Sequence, residues 1–194
     1  MNQLKNLILA ATVSAIAGVA AGSPAMAAGS HSGGHSGGHS AGGDHGMDTG
    51  ERGDPAKVSR TIEIIMKDNF YEPEEIEAKA GETVRFVIKN QGEFLHEFNI
   101  GTAAMHVEHQ KEMAMMMEHG MITPTKIDHE RMKMDHGGGH KMNHDDANSV
   151  LLEPGQSGEL IWKFAKAAKL EFACNLPGHY DSGMMGPINM GHTH

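Results

Sequence analysis

The stretch from Cys174 to Met184 (CNLPGHYDSGM) brings a thiol, an imidazole and a thioether together within eleven residues. Cys174 is the only cysteine in the chain, so it has no partner for an internal disulfide. A thiolate, two imidazoles and a weakly held thioether form a copper site suited to one-electron exchange. The thioether and thiolate favour Cu(I), while the imidazoles serve both oxidation states. The second imidazole is expected from His96, inside Phe94-Leu95-His96-Glu97-Phe98. The plainer readings are an inert buried thiol at Cys174 and a hydrogen-bonded core histidine at His96. The five-residue step from Cys174 to His179 argues against the first. Met185 adjoins Met184 and competes with it for the thioether position.

Such residues need a rigid frame, and the flanking pattern is that of strands. Arg60 to Met66 begins with polar–apolar alternation, and Glu75 to Ala78 alternates as well. Thr83 to Lys89 sets Val84, Phe86 and Ile88 on one face. Phe94 to Ile100 reads as the strand that carries His96. After Ser149, the segments Gly158 to Phe164, Lys169 to Cys174 and Pro187 to Met190 read as further strands. Short strands at this spacing predict an antiparallel sandwich. Phe70, Phe86, Phe98, Trp162, Phe164 and Phe172 are the expected aromatic core.

The spacing Cys-x4-His-x4-Met followed by x-Gly resembles that of the type 1 (blue) copper proteins, the cupredoxins. Phe70-x2-Pro73, Ala80 to Val84 and Glu153-Pro154-Gly155 are similar to landmarks of that family. The resemblance runs from about Arg60 to Met190 with one large interruption. It implies an all-β, Greek-key β-sandwich with a Met/His-rich, partly helical insertion. It also implies His96, Cys174 and His179 as equatorial copper ligands and Met184 as the weak axial one. One departure is Glu97, where many family members carry asparagine or serine to tie the ligand loops together. An acidic group there is expected to stabilise Cu(II) and lower the potential.

The interruption, residues 103–148, holds nine of the sixteen methionines and seven of the fifteen histidines. Ala103 to His119 reads as a helix of good helix formers. Met105, His109, Met113 and Met117 would share one face at i, i+4 spacing. That stripe suits either core packing or copper capture. Lys126 to Asp146 is polar and Gly-rich, with Met132, Met134, Met142, His129, His136, His140 and His144, and reads as a copper-catching loop.

Residues 1–27 read as a secretory signal: Lys5, an apolar run from Leu7 to Ala21, then Ala25-Met26-Ala27. A retained anchor is the alternative, but the run is short and alanine-rich for a membrane span. Residues 28–57 read as a disordered Gly/Ser/His linker with His31, His35, His39 and His45, which leaves 58–191 as the interrupted cupredoxin domain. The formal charge is −9, and losing Lys5 with the signal makes it −10. No basic patch points to nucleic acid; a basic redox partner such as a cytochrome fits better.

These readings predict a periplasmic type 1 copper protein serving copper handling and tolerance, with further copper held at the insertion. A respiratory electron shuttle is the alternative, and a Cu(I) oxidase a third. The chain offers no second cysteine for another catalytic centre, so a non-enzymatic role is expected.

Overall fold

The computed structural model describes residues 49–133, 146–165 and 169–191. Ten strands form two five-stranded sheets. They are β1 (Gly50–Arg52), β2 (Arg60–Lys67), β3 (Phe70–Glu72), β4 (Ile76–Lys79), β5 (Thr83–Asn90), β6 (His96–Gly101), β7 (Ser149–Leu152), β8 (Ser157–Phe164), β9 (Leu170–Ala173) and β10 (Met185–Gly191). The first sheet runs β1-β8-β5-β2-β3 and the second β4-β10-β9-β6-β7. The expected sandwich is therefore present, but it is not wholly antiparallel. β2 pairs parallel with β5, and β10 parallel with β4. Each of these pairs joins strands that are not sequence neighbours in a hairpin, as crossovers between two packed sheets require.

The alternation read from the sequence sets the core. Ile64, Met66, Val84, Phe86 and Ile88 are fully buried between the sheets. Phe98 and Phe172 join them from the second sheet, with Phe86 and Phe98 ring centroids 5.3 Å apart. Phe70 departs from the expectation: it is 41% exposed, and Tyr71 occupies the core instead. Successive residues of a strand face opposite sides, so within β3 only one of Phe70 and Tyr71 can face the core. Tyr71 stacks edge-on against Phe172 at 5.0 Å, and its hydroxyl donates to the Glu97 carbonyl at 2.6 Å. That bond fixes the depth of β6.

The fold also begins earlier than the linker boundary at residue 57 implies. Gly50–Arg52 pairs with β8, and Pro55–Lys57 forms a 3-10 turn capped by Asp54. The indole N–H of Trp162 donates to the Thr49 carbonyl at 3.2 Å. Gly50 passes so close to that ring that a Cβ would stand 2.6 Å from Trp162 Nε1. An otherwise open edge of β8 thus gains a partner from residues too few to show a strand pattern.

Part of the insertion belongs to the core. A single residue, Thr102, separates β6 from helix α1 (Ala103–Glu118) and caps it, its hydroxyl accepting from Met105 N. It stops at Gly120, φ +69°, where Gly120 N and Met121 N donate to the Met117 and Met116 carbonyls. The face it buries is rotated from the expected stripe. His106, Met113 and Met116 are buried, and Met121 and Ile122 follow them into the core. Met105, His109 and Met117 lie at the margin. A short helix α2 (His129–Lys133) follows. Met134, His136, His140, Met142 and His144 lie outside the described residues, as do the signal and most of the linker.

Candidate metal centre

The β9–β10 hairpin brings the two sulfurs of the expected set to one end of the second sheet. Ala173 pairs with Met185, so Cys174 and Met184 face each other where the strands part. Cys174 N donates to the Met184 carbonyl at 3.1 Å and closes the loop. Inside it, His179 N donates to the Leu176 carbonyl, and Met184 N to the His179 carbonyl. Gly178 and Gly183 take φ of +84° and +97°, which side-chain-bearing residues rarely adopt. These turns hold His179 over Cys174.

His96 arrives on the neighbouring strand. β6 pairs with β9 through Asn99 and Ala173, which carries the start of β6 to the same end. One ligating atom from each of His96, Cys174 and His179 lies within 4.8 Å of the others. His179 Nδ1 is 3.3 Å and His96 Nδ1 4.0 Å from Cys174 Sγ. His96, Cys174 and Met184 are fully buried, while His179 is partly exposed. Met185, the competitor, begins β10 and is 36% exposed.

Burial pushes the Cys174 thiol up to about 12, a trend that Glu97 N–H and Leu176 N–H oppose. Glu97 N–H donates to the sulfur at 3.4 Å. Burial also holds the His96 and His179 imidazoles below their ordinary value, so both are neutral and keep a lone pair for a metal. The donor set therefore fits a soft cation: a thiol that would release its proton to solvent on binding a metal, and two neutral imidazoles with the same ring nitrogen turned inward.

Two carboxylates missing from the expected ligand set hold it in place. Asp68, on the turn after β2, contacts His96 Nε2 at 2.9 Å. Because an ionised carboxylate only accepts, His96 carries its proton on Nε2 and presents Nδ1 unprotonated. Burial pushes the Asp68 carboxyl up, but the bonds from His96, Glu93 N–H and Phe94 N–H outweigh it and hold it below its usual range. Gly92 permits this approach: a Cβ there would stand 2.7 Å from His96 Nε2. An Asp on a turn twenty-eight residues from His96 gives no signal in one sequence.

The second carboxylate is Glu97, which the sequence did flag. It is fully buried. Oε2 accepts from Asn175 N at 3.2 Å and Asn175 Nδ2 at 2.9 Å, which ties the strand of His96 to the loop of Cys174. The tie expected of asparagine or serine is thus made by a carboxylate. Oε1 accepts from Ser149 Oγ at 2.6 Å and meets His109 Nε2 at 2.8 Å.

With this geometry in hand, likeness to known proteins is informative. Residues 48–125 match the family model of the cupredoxin-like domain, a span that includes His96 but stops before Cys174. The copper-resistant cuproprotein CopI of Pseudomonas aeruginosa is 54% identical over 149 residues, covering 73% of this chain and 81% of that one. The chain belongs to the CopI family. A second member, from Rubrivivax gelatinosus, is 37% identical over 140 residues, covering 72% of this chain and 71% of its own. Among solved structures, auracyanin B gives a TM-score of 0.53 at 16% identity, covering 74% of this chain and 97% of its own. The dithionite-reduced auracyanin of Roseiflexus castenholzii gives 0.50 at 21%, covering 70% and 99%. These two likenesses establish the cupredoxin fold for this CopI-family chain.

Proposed function

We propose that this chain is an exported type 1 copper protein that serves copper tolerance, with His96, Cys174 and His179 as equatorial ligands and Met184 as the axial one. The observation that carries this reading is the convergence of a thiol and two imidazole Nδ1 atoms within 4.8 Å at a buried strand end. The copper-resistance names of the CopI relatives support the tolerance role. Bound copper would supply one-electron Cu(I)/Cu(II) chemistry. The chain's part is to hold the donors still. Asp68 sets the His96 tautomer, Glu97 N–H donates to the sulfur, and the closed hairpin loop fixes His179.

Copper is also the cargo. Met134, His136, His140, Met142 and His144 combine thioethers for Cu(I) with imidazoles for Cu(II) in a Gly-rich segment. The Lys5 to Ala27 pattern directs the chain to the periplasm. Among the described residues, no helix is long and apolar enough to cross a membrane. The role is binding and redox, without turnover of an organic substrate.

A copper titration tests the division of labour. The full chain should bind more than one copper, while a variant lacking residues 134–145 should bind fewer and keep the thiolate-to-copper band. Unchanged stoichiometry would reject the capture role. One observation favours electron transfer as a second role, since His179 alone of the four residues reaches the surface. Fast, salt-sensitive exchange with a basic cytochrome would support it.

A further inference from the structure

We propose that His109 is a positioning residue for the metal centre, and that through it helix α1 is tied to both ligand-bearing segments. The inference rests on the ligand assignment above and adds a role for a residue of the insertion outside that ligand set.

The Glu97 carboxylate sits at 0% exposure, and among the described residues Asn175, Ser149 and His109 place donors around its two oxygens. Two come from Asn175, the residue after Cys174, and Glu97 itself follows His96. The same residue's N–H points at the Cys174 sulfur. A displacement of this side chain is therefore felt by both ligand segments at once. A buried carboxylate stays in such a place only when charge and hydrogen bonds compensate it.

His109 supplies that compensation from α1. The helix leaves β6 at Thr102 and folds back, so that position 109 returns to position 97. Its depth is set by Met113 and Met116 in the core. On the outer side, His109 Nδ1 meets Glu112 Oε2 at 3.0 Å and Asp146 Oδ2 at 3.9 Å. Acceptors on both ring nitrogens require both to carry protons, so the ring is a cation held between carboxylates. Burial alone would lower its pKa, but Glu97, Glu112 and Asp146 raise it to about 9.

The test uses the full-length chain as wild type, His109→Gln, Glu97→Gln and the double variant. Copper-loaded protein is mixed with excess chelator, and the decay of the thiolate-to-copper band is followed. His109→Gln should release copper about 10-fold faster, as loss of a supporting contact to a ligand typically does. The double variant should resemble Glu97→Gln alone, because the stranded carboxylate has gone. Equal release from wild type and His109→Gln, or strictly additive effects, would overturn the proposal. If His109→Gln does not fold, folding of the double variant is the expected coupling, and failure of both overturns it. A metal-free readout separates this inference from the ligand assignment. In the apoprotein, His109→Gln should move the NMR signals of the His96 ring and the Asn175 amides. Unmoved signals would overturn the positioning role, even in a protein that turns blue. A colourless wild type with moved signals would sink the ligand assignment alone.

Discussion

On one side of β6 the His96 ring meets Asp68; on the other the Glu97 carboxylate meets His109. The pairs are neighbours in sequence and alike in composition, yet they hold their imidazoles in opposite states. His96 has one carboxylate on Nε2, and burial keeps the ring neutral with Nδ1 available. His109 has carboxylates on both nitrogens and is a cation. Burial disfavours the charge on both rings; the single carboxylate at His96 does not overcome it, whereas the carboxylates around His109 together do. A ligand needs one nitrogen left without a proton; a counter-ion needs both engaged.

The contrast is most severely broken at Glu97. Replacing it with alanine takes one acceptor from the partly buried His109 cation and from Ser149 Oγ, and strips the buried Asn175 donors of theirs. Chemical denaturation should show a loss of about 3–5 kcal/mol, as for other broken buried pairs. The corresponding change on the other side should be felt at the metal more than in the fold. Asp68→Ala should lower the midpoint modestly, since it removes the acceptor of three donors, and weaken copper about 10–100-fold in a chelator competition. Asp68→Asn keeps an acceptor for His96 Nε2 and should raise the reduction potential with a smaller loss of affinity.

A smaller effect separates the pairs by pH. A raised pKa in the folded state stabilises the fold fully below the unfolded value of about 6.5. That contribution is lost as pH rises through about 9 for His109. The thermal midpoint of the apoprotein should therefore fall between pH 7 and pH 9.5, and His109→Gln should flatten that slope. The smallest effect belongs to Met185: as an exposed residue, Met185→Leu should change stability by under about 0.5 kcal/mol and leave the copper spectrum alone. Met184→Leu should alter the spectrum.

The convergence of the candidate ligands was legible in the sequence, as was the oddity of Glu97; the contacts of Asp68 and His109 were not. Cys174, His179 and Met184 sit on one hairpin loop, so their spacing carries their geometry. His96 could be nominated because a strand pattern surrounds it and its position resembles that of the family ligand. Asp68 and His109 act across gaps that no local pattern encodes, one from a turn and the other from a helix. The aromatic count that placed Phe86, Phe98 and Phe172 in the core failed at Phe70, because the three-residue strand there turns Tyr71 inward instead. The methionine stripe on α1 was half right. The spacing placed Met113 correctly, but the docking angle that buries His106 and Met116 is set by the sheet beneath. The same packing limits one intuitive experiment. Deleting the whole of 103–148 would uncover core around Met113, Met116, Met121 and Ile122 and remove His109, so only the shorter 134–145 deletion isolates copper capture.

The most direct test loads wild type and Cys174→Ser with one equivalent of Cu(II) and records the thiolate-to-copper absorption beside the bound metal. Wild type should develop the band in proportion to the first copper, and Cys174→Ser should show none at any loading. Colour that survives the serine substitution, or a colourless wild type with copper bound, would refute a type 1 centre built on Cys174.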